Sequence, residues 1–303
     1  MRPRSRSFIS LKRKRSYRQW VKAALLRIIV MIVMTGGTYG YSAYIETRML
    51  SITNPVVITD QLPKPLQQLK IVQFSDTHLG KGYSVMQLDE LVHTINDQHP
   101  DIVVFTGDLI DKFRFFTDGR GQVPEVLSKI EAPLGKYAVY GNHDRGGGAS
   151  SYYRSCMEQA GFKLLVNERY EIPIAGNQKL VISGLDDYLL GNPEPESTLS
   201  RLQEQDYNIV LVHEPDVAET WGHYPVDLIL AGHSHGGQVQ LPLIGPVITP
   251  PLAEKYVEGL YELEGEHRSR YLYVNRGIGT TRKPIRFNSK PELTVLSIVC
   301  PTS

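Results

Sequence analysis

Cysteine is nearly missing from this chain of 303 residues: only Cys156 and Cys300 occur, and neither has a metal-ligating neighbour in sequence. That excludes a disulfide framework and a thiolate-bound metal cluster, leaving one disulfide in an oxidising compartment or two buried small hydrophobes. Acid is missing from residues 1 to 27, which hold ten Lys or Arg. The overall charge of +1 therefore hides a remainder with 23 basic and 32 acidic residues, a formal −9. Such an acidic body argues against broad nucleic-acid binding, which draws on basic surface. Internal repeats and long low-complexity linkers are absent as well. A chain of this length can hold one large domain or two modest ones, and strand-like runs spread evenly from Leu69 to Val299 favour one.

Charge is also absent from Ile28 to Ile45, a mostly apolar stretch that Val21 to Leu26 lengthens if Arg27 snorkels toward headgroups. A bilayer span needs about 20 such residues. The basic bias on the amino-terminal side predicts a cytoplasmic arm (1–27), a transmembrane helix (28–45), an irregular juxtamembrane connection (46–68) and an extracytoplasmic domain (69–303). Gly36-Gly37 and the tyrosines at 39, 41 and 44 suit the outer interface. The competing reading is a cleaved secretory signal, against which stand a very long basic region and only Gly40-Tyr41-Ser42 as a weak cleavage site. Ser5-Arg6-Ser7-Phe8-Ile9 is similar to a twin-arginine export signal, but its arginines are not adjacent.

What is plentiful is a recurring pattern: a short apolar run rich in Val, Ile, Leu, Phe and Tyr, then a polar segment. Leu69 to Phe74, Ile102 to Thr106, Lys136 to Tyr140, Asn208 to Val212 and Asp227 to Ala231 read as strands covered on both faces. Leu180 to Ser183, Arg270 to Asn275 and Leu293 to Val299 are further candidates. A helix is predicted after Ser84, with Gln87 at capping-box spacing and Val85, Leu88, Leu91, Val92 and Ile95 on one face. Another covers Ser150 to Ala160 and stops at Gly161. Alternating strands and helices give an α/β domain, whose ligands gather beyond the carboxyl ends of strands.

Five polar segments occupy those ends: Asp76-Thr77-His78, Gly107-Asp108, Gly141-Asn142-His143-Asp144, His213 and Gly232-His233-Ser234-His235. In extended backbone the spacing of Asp76 and His78 turns both side chains the same way. Asp108 offers two oxygens to two cations, Asn142 a neutral amide oxygen, and His213, His233 and His235 imidazoles; glycines 232, 236 and 237 allow close backbone approach. Taken singly, Asp-x-His, Gly-Asp and Gly-Asn-His-Asp are ordinary loop sequences, and His213 merely ends a strand. Together and in this order they supply the oxygen and nitrogen ligands of a two-metal centre that clamps both oxygens of an in-line displacement at phosphorus.

These segments resemble the motifs of the calcineurin-like metallophosphoesterase superfamily. Phe74–His78, Val212–Asp216 and Ala231–Gln238 are similar to its bacterial membrane-associated branch, which includes wall-associated phosphoesterases and enzymes that cleave UDP-diacylglucosamine pyrophosphate. The resemblance runs from about residue 69 to 299, taking in Gly277-Ile278-Gly279, Pro284-Ile285-Arg286 and Pro291-Glu292. It implies a four-layer α/β/β/α sandwich of two mixed sheets. It further implies one metal on Asp76, His78, Asp108 and His235, and a second on Asp108, Asn142, His213 and His233. His143 then faces the substrate, with Asp144 as its orienting partner.

The chemistry expected of such a centre is hydrolysis of a phosphoester or pyrophosphate by a metal-bridging hydroxide, with His143 stabilising the transition state and protonating the departing oxygen. Two divalent ions are the implied cofactors, and the ligand types suit Mn, Fe or Zn better than Ca. The expected partners are a phosphoester or lipid-linked pyrophosphate substrate and the cell membrane, with no nucleic acid. A phosphodiesterase or nuclease acting on soluble substrates, or a non-catalytic receptor on the same fold, are the alternatives. Lys112-Phe113-Arg114-Phe115-Phe116 is either a substrate or membrane loop or a loop tucked on the core. Arg145-Gly146-Gly147-Gly148 reads as linker, and Arg276, Arg282, Lys283 and Arg286 as solvated surface.

Overall fold

The computed structural model describes residues 17–63, 66–175, 178–266 and 268–301. Most of the basic arm, including Ser5 to Ile9, and Pro65 of the expected connection lie outside these. The chain divides into two units, one ending at Tyr41 and one beginning at Ser42.

The first unit is dominated by helix α1 (Tyr17–Tyr44), whose 28 residues continue through Gly36, Gly37 and Gly40. It starts upstream of the expected span because Gln19 to Arg27 contains good helix formers and neither Gly nor Pro. At ~1.5 Å per residue it is long enough to cross a bilayer, and its apolar stretch is exposed.

The second unit carries fifteen strands among the described residues: β1 (Ser51–Thr53), β2 (Val56–Ile58), β3 (Gln68–Phe74), β4 (Ile102–Phe105), β5 (Lys136–Ala138), β6 (Phe162–Leu164), β7 (Glu168–Ala175), β8 (Gln178–Gly184), β9 (Tyr207–Leu211), β10 (Leu228–Ala231), β11 (Gln240–Leu241), β12 (Gly245–Pro246), β13 (Gly259–Leu263), β14 (Arg270–Val274) and β15 (Glu292–Val299). One mixed sheet runs β1-β15-β3-β4-β5-β6, with β2 also on β15; the other runs β13-β14-β10-β9-β8-β7. Helices α2 (Val85–Asp97), α3 (Val123–Ser128), α4 (Asn142–Arg145) and α5 (Ser150–Gln159) intervene along the first half.

Strand alternation sorts the apolar residues into three cores. On β3, Leu69 and Ile71 point between the sheets, where they join Leu180, Ile209 and Leu228 of the second sheet. Val72 and Phe74 point outward onto Leu88, Leu91 and Ile95 of α2 and onto Tyr153 and Met157 of α5. Val181, Val210 and Ile229 face the far side, under Leu199, Ala218 and Trp221. Three cores separate four layers, the arrangement expected for two mixed sheets with covered outer faces. The Ser84 capping box forms as its spacing predicts, with the Gln87 N–H donating to Ser84 Oγ and the Ser84 N–H to Gln87 Oε1.

One expectation is overturned. Part of the connection expected to be irregular is sheet: β1 pairs in parallel with Glu292–Thr294 and β2 with Ser297–Val299, both on β15. Two three-residue strands broken by Asn54-Pro55 are too short to read from periodicity. Their segment is fastened further by Glu46, a buried carboxylate that accepts the Ser289 N–H at 2.8 Å.

Candidate metal centre

Asp76 follows β3, Asp108 follows β4, Asn142 follows β5, His213 follows β9, and His233 and His235 follow β10, so carboxyl ends from both sheets converge on one place. Beside it the sheets are tied by Gln73, whose Nε2 donates to Ala231 O at 2.9 Å. Six of the seven expected ligand side chains, Asp76, His78, Asp108, His213, His233 and His235, are buried. Asp76 Oδ1 lies 3.4 Å from His235 Nε2, 3.8 Å from His78 Nε2 and 4.0 Å from His213 Nε2. Asp108 Oδ2 lies 3.4 Å from His213 Nε2 and 3.5 Å from His78 Nε2. Three groups of potential ligand atoms result: Asp76 with His78 and His235, Asp76 with Asp108 and His213, and His78 with Asp108 and His143.

The backbone here departs from the extended geometry anticipated for Asp76 and His78. Their φ angles are +49° and +44°, and Asp108, His233 and His235 are also left-handed, at +62°, +67° and +52°. Non-glycine residues in this region cost on the order of 1–3 kcal/mol each, a strain that a rigid surround must hold. Part of that surround is Gly232: a Cβ there would fall on Ser75 Oγ and come within 2.6 Å of Asp76 Oδ2. Gly107, at φ +98°, could not carry one either, since Gly141 N would stand 2.5 Å away.

Four of the expected ligands, His213, His233, Asp76 and Asp108, are held by a second bond. His213 Nδ1 is 2.6 Å from Thr106 O, which fixes the proton there and turns Nε2 toward the carboxylates. His233 Nε2 is 3.0 Å from Pro251 O, leaving Nδ1 for a metal. Asp76 Oδ2 accepts the His233 N–H at 3.0 Å. Asp108 was expected to spread two oxygens over two cations, but Oδ1 accepts the His143 N–H at 2.8 Å, so one oxygen, Oδ2, faces the histidines.

This donor set fits a pair of divalent ions. Asp76 Oδ1, Asn142 Oδ1 and His213 Nε2 are buried without a hydrogen-bond partner, a costly state unless a cation takes their lone pairs. His78 Nε2 and His235 Nε2 face each other at 3.0 Å. Ligand atoms about 3–3.5 Å apart are what two metal bonds of roughly 2.1 Å enclose.

Electrostatics within the protein point the same way. Burial works against charge on Asp108 and Asp76, yet the surrounding histidines hold both carboxyls well below their usual range. Burial likewise opposes a charged His213, but Asp108 and Asp76 raise it well above an ordinary imidazole. Burial and the neighbouring His213 push His233 down to about 4, and burial lowers His235 strongly.

His143 lines the cleft beside the metal residues, but Asp144 is not its partner. The Asp144 carboxylate is spent on backbone, accepting the N–H groups of Asp108 at 2.7 Å, Leu109 at 2.9 Å and Gly141 at 3.0 Å. It therefore ties the β4 and β5 loops together and makes no bond to the His143 ring. That ring instead meets Asp111, with Nδ1 2.6 Å from the backbone oxygen. Burial disfavours charge on His143, but the Asp108 carboxylate and the Asp111 carbonyl outweigh it and raise its pKa. Nothing in the sequence marks Asp111 for this contact, because any residue type presents a carbonyl.

The full architecture, the converging ligands and the motif order decide the family: the calcineurin-like phosphoesterase model matches residues 69–237. The chain belongs to the calcineurin-like phosphoesterase family. It is 43% identical to the uncharacterized metallophosphoesterase YkuE of Bacillus subtilis over 94% of this chain and 98% of that one. It is 29% identical to phosphodiesterase YaeI of Escherichia coli, over 90% and 97%. UDP-2,3-diacylglucosamine pyrophosphatase LpxG of Chlamydia trachomatis is 28% identical over 91% and 96%. As a calcineurin-like phosphoesterase the protein is a metal-dependent hydrolase, with its buried His/Asp cluster as the metal site.

The metal residues open into a cleft of about 370 Å³ whose walls include Leu189, Val247, Ile248 and Ile285 alongside Arg282 and Lys283. Two cations differ from expectation. Arg286 is fully buried instead of solvated, its guanidinium donating to the carbonyls of Arg276, Gly277, Gly279 and Ser289. Arg276 is paired with Glu292 at 2.8 Å. Of the 112–116 loop, Phe113 and Phe116 pack on the core, and Phe115 alone is 83% exposed.

Proposed function

We propose that this protein is a membrane-anchored phosphoesterase that uses two divalent transition metals to hydrolyse phosphoester or pyrophosphate bonds of lipid-linked or cell-envelope substrates. The observation that carries the reading is the set of orphaned buried ligand atoms, Asp76 Oδ1, Asn142 Oδ1 and His213 Nε2, in the cluster whose Asn142, His78, Asp108, His233 and His235 line a cleft with apolar walls. Relatives named as a phosphodiesterase and a UDP-2,3-diacylglucosamine pyrophosphatase support the phosphoester and lipid-linked parts. Asp76, His78, Asp108 and His235 would hold one ion and Asp108, Asn142, His213 and His233 the other, with Mn, Fe or Zn suited to such ligands. Bound there, the ions supply charge neutralisation at the phosphoryl oxygens and a more acidic water.

The chain's own contribution is positional. The Asp111 carbonyl holds the proton on His143 Nδ1, so that Nε2 carries the exchangeable proton when the ring is charged. The raised pKa keeps that second proton available near neutral pH, and Nε2 delivers it to the departing oxygen. Arg282 and Lys283 at the cleft wall offer charge to a second phosphate or headgroup. Helix α1 serves as the anchor, with the basic arm cytoplasmic and the second unit outside.

The test is hydrolysis by the full chain in detergent, stripped with chelator and resupplied with Mn, Zn or Mg, on a nitrophenyl phosphodiester and on phospholipid or lipid-linked pyrophosphate extracts. Metal-restored loss of a lipid phosphoester is the expected result. Turnover of soluble diesters alone would support the soluble-substrate phosphodiesterase. Protease added to intact spheroplasts should degrade the second unit, and its protection would refute the topology.

A further inference from the structure

An apolar hairpin stands at the mouth of the cleft. Strands β11 and β12 pair antiparallel, Gln240 with Pro246 and Leu241 with Gly245, and carry Leu243 and Ile244 at the tip. Leu243 is fully exposed and Ile244 is 74% exposed; Leu241, Val247 and Ile248 beside them are also exposed. A run of this kind in water is a liability unless something covers it. At its root Val239, Val247 and Ile248 line the same cleft as Arg282 and Lys283, both exposed.

The hairpin is tied to the start of the second unit. Gln240 N donates to Phe287 O and Phe287 N to Gln238 O, each at 2.8 Å. On either side of Phe287, Arg286 N donates to Ser42 O at 2.9 Å and Ser289 N to Glu46 Oε1 at 2.8 Å. Ser42 lies in the last turn of α1. One short segment thus holds both Ser42 and Glu46, where the second unit begins, and the root of an apolar hairpin.

We propose that the Gln240–Pro246 hairpin is an interfacial element that buries Leu243 and Ile244 in an anionic bilayer and sets the mouth of the cleft at the lipid surface. The proposal rests on the reading of α1 as a membrane anchor. Charge favours an anionic surface as the occupant: residues 28–303 are formally −9, so an acidic lipid face repels most of the body, while Arg282 and Lys283 present cations beside the apolar tip. Apolar side chains flanked by cations are the composition that binds an interface. The consequence for the reaction is that a substrate headgroup enters the metal site while its hydrocarbon stays in or near the lipid.

The test uses the full chain in vesicles of phosphatidylcholine and phosphatidylglycerol with brominated acyl chains, which quench tryptophan only on contact. Ile244→Trp and, as a second probe, Leu243→Trp are compared with Met86→Trp, an exposed position on α2. Native Trp20 and Trp221 contribute the same background to all three. The expected result is at least twofold quenching of the emission added at 243 or 244 and none of that added at 86. A further expectation is weaker quenching when phosphatidylglycerol is omitted or when Arg282→Gln and Lys283→Gln are combined. Quenching at 244 no greater than at 86, in chains that float with the vesicles, overturns the proposal while leaving the anchor standing. Failure of the unmodified chain to float at high salt removes the anchor and the hairpin proposal together. Protection of Ile244→Trp from both bromine and aqueous iodide would mean that another copy covers the hairpin, which also overturns it.

Discussion

The ring of His143 hangs from the backbone of Asp111, with Nδ1 2.6 Å from the carbonyl oxygen, and not from the carboxylate that follows it in sequence. A carbonyl can only accept, so it fixes the proton on Nδ1 more firmly than a titrating carboxylate would, and it leaves Nε2 to the substrate. The division of labour gives His143 and Asp144 separable roles.

His143→Gln should retain both metals and lose much of its rate on an alkyl phosphodiester, within the ~10²–10⁴-fold range typical of general acid catalysis. The loss should be smaller on a nitrophenyl ester, whose leaving group needs no proton. Single-turnover rates and metal content on one preparation decide it. Equal losses on both esters at full occupancy would make His143 a stabiliser of phosphoryl oxygen, and lost metal would make it a ligand.

Asp144→Ala should act through structure. It strands three buried N–H groups, those of Asp108, Leu109 and Gly141, at about 1–3 kcal/mol each. A lower unfolding temperature and weakened metal retention are expected together, with the residual rate per bound metal little changed. Unchanged thermal stability would refute the strut role.

Metal uptake should number two ions per chain by elemental analysis, and Asp108→Ala should lose most of both. One ion with full turnover would rule out the dinuclear reading. Loading should also expel protons: Asp108 and Asp76 hold His213 protonated above the ordinary imidazole range, against the effect of burial. Below that raised pKa a metal must displace the proton, so affinity should rise with pH until His213 titrates and then level. Indicator-dye titration of the chelated protein measures the release, and proton-independent binding between pH 6 and 8 would contradict it.

The two cysteines should differ in reactivity. Both are free thiols, Cys156 buried and Cys300 partly exposed. Burial pushes the Cys156 thiol up to about 12, which leaves on the order of 10⁻⁴ as thiolate at pH 8. Iodoacetamide should label one thiol in the folded chain and two after unfolding, read by mass spectrometry; rapid native labelling of Cys156 would show an opening in the core around α5.

The residues that could be read from sequence were those whose chemistry depends on side-chain type at a strand end. Asp76, Asp108, Asn142, His213, His233 and His235 each follow a buried run long enough to recognise, and those runs became β3, β4, β5, β9 and β10. What stayed hidden was set by backbone and tertiary contact. The left-handed φ of Asp76, His78 and Asp108 has only a weak signature in residue type: Asp and His are enriched in that conformation, but they are common in extended loops as well. Arg286 resembled a surface cation because nothing local announces a cage of carbonyls from residues 276 to 289. β7 was missed because its Glu168, Arg169, Glu171 and Pro173 suit a partly exposed edge better than a core.

Strand β15 joins the two ends of the chain's history. It lies between β3 on one side and β1 and β2 on the other, yet more than two hundred residues separate it from any of them. During synthesis β3 thus waits with an open edge while both sheets' other strands are made, and only the arrival of Glu292–Val299 closes it. Contacts so distant in sequence form slowly, and an unpaired edge invites association meanwhile. On the topology proposed above, such a delay would keep the second unit threadable across the bilayer until its last strand has followed.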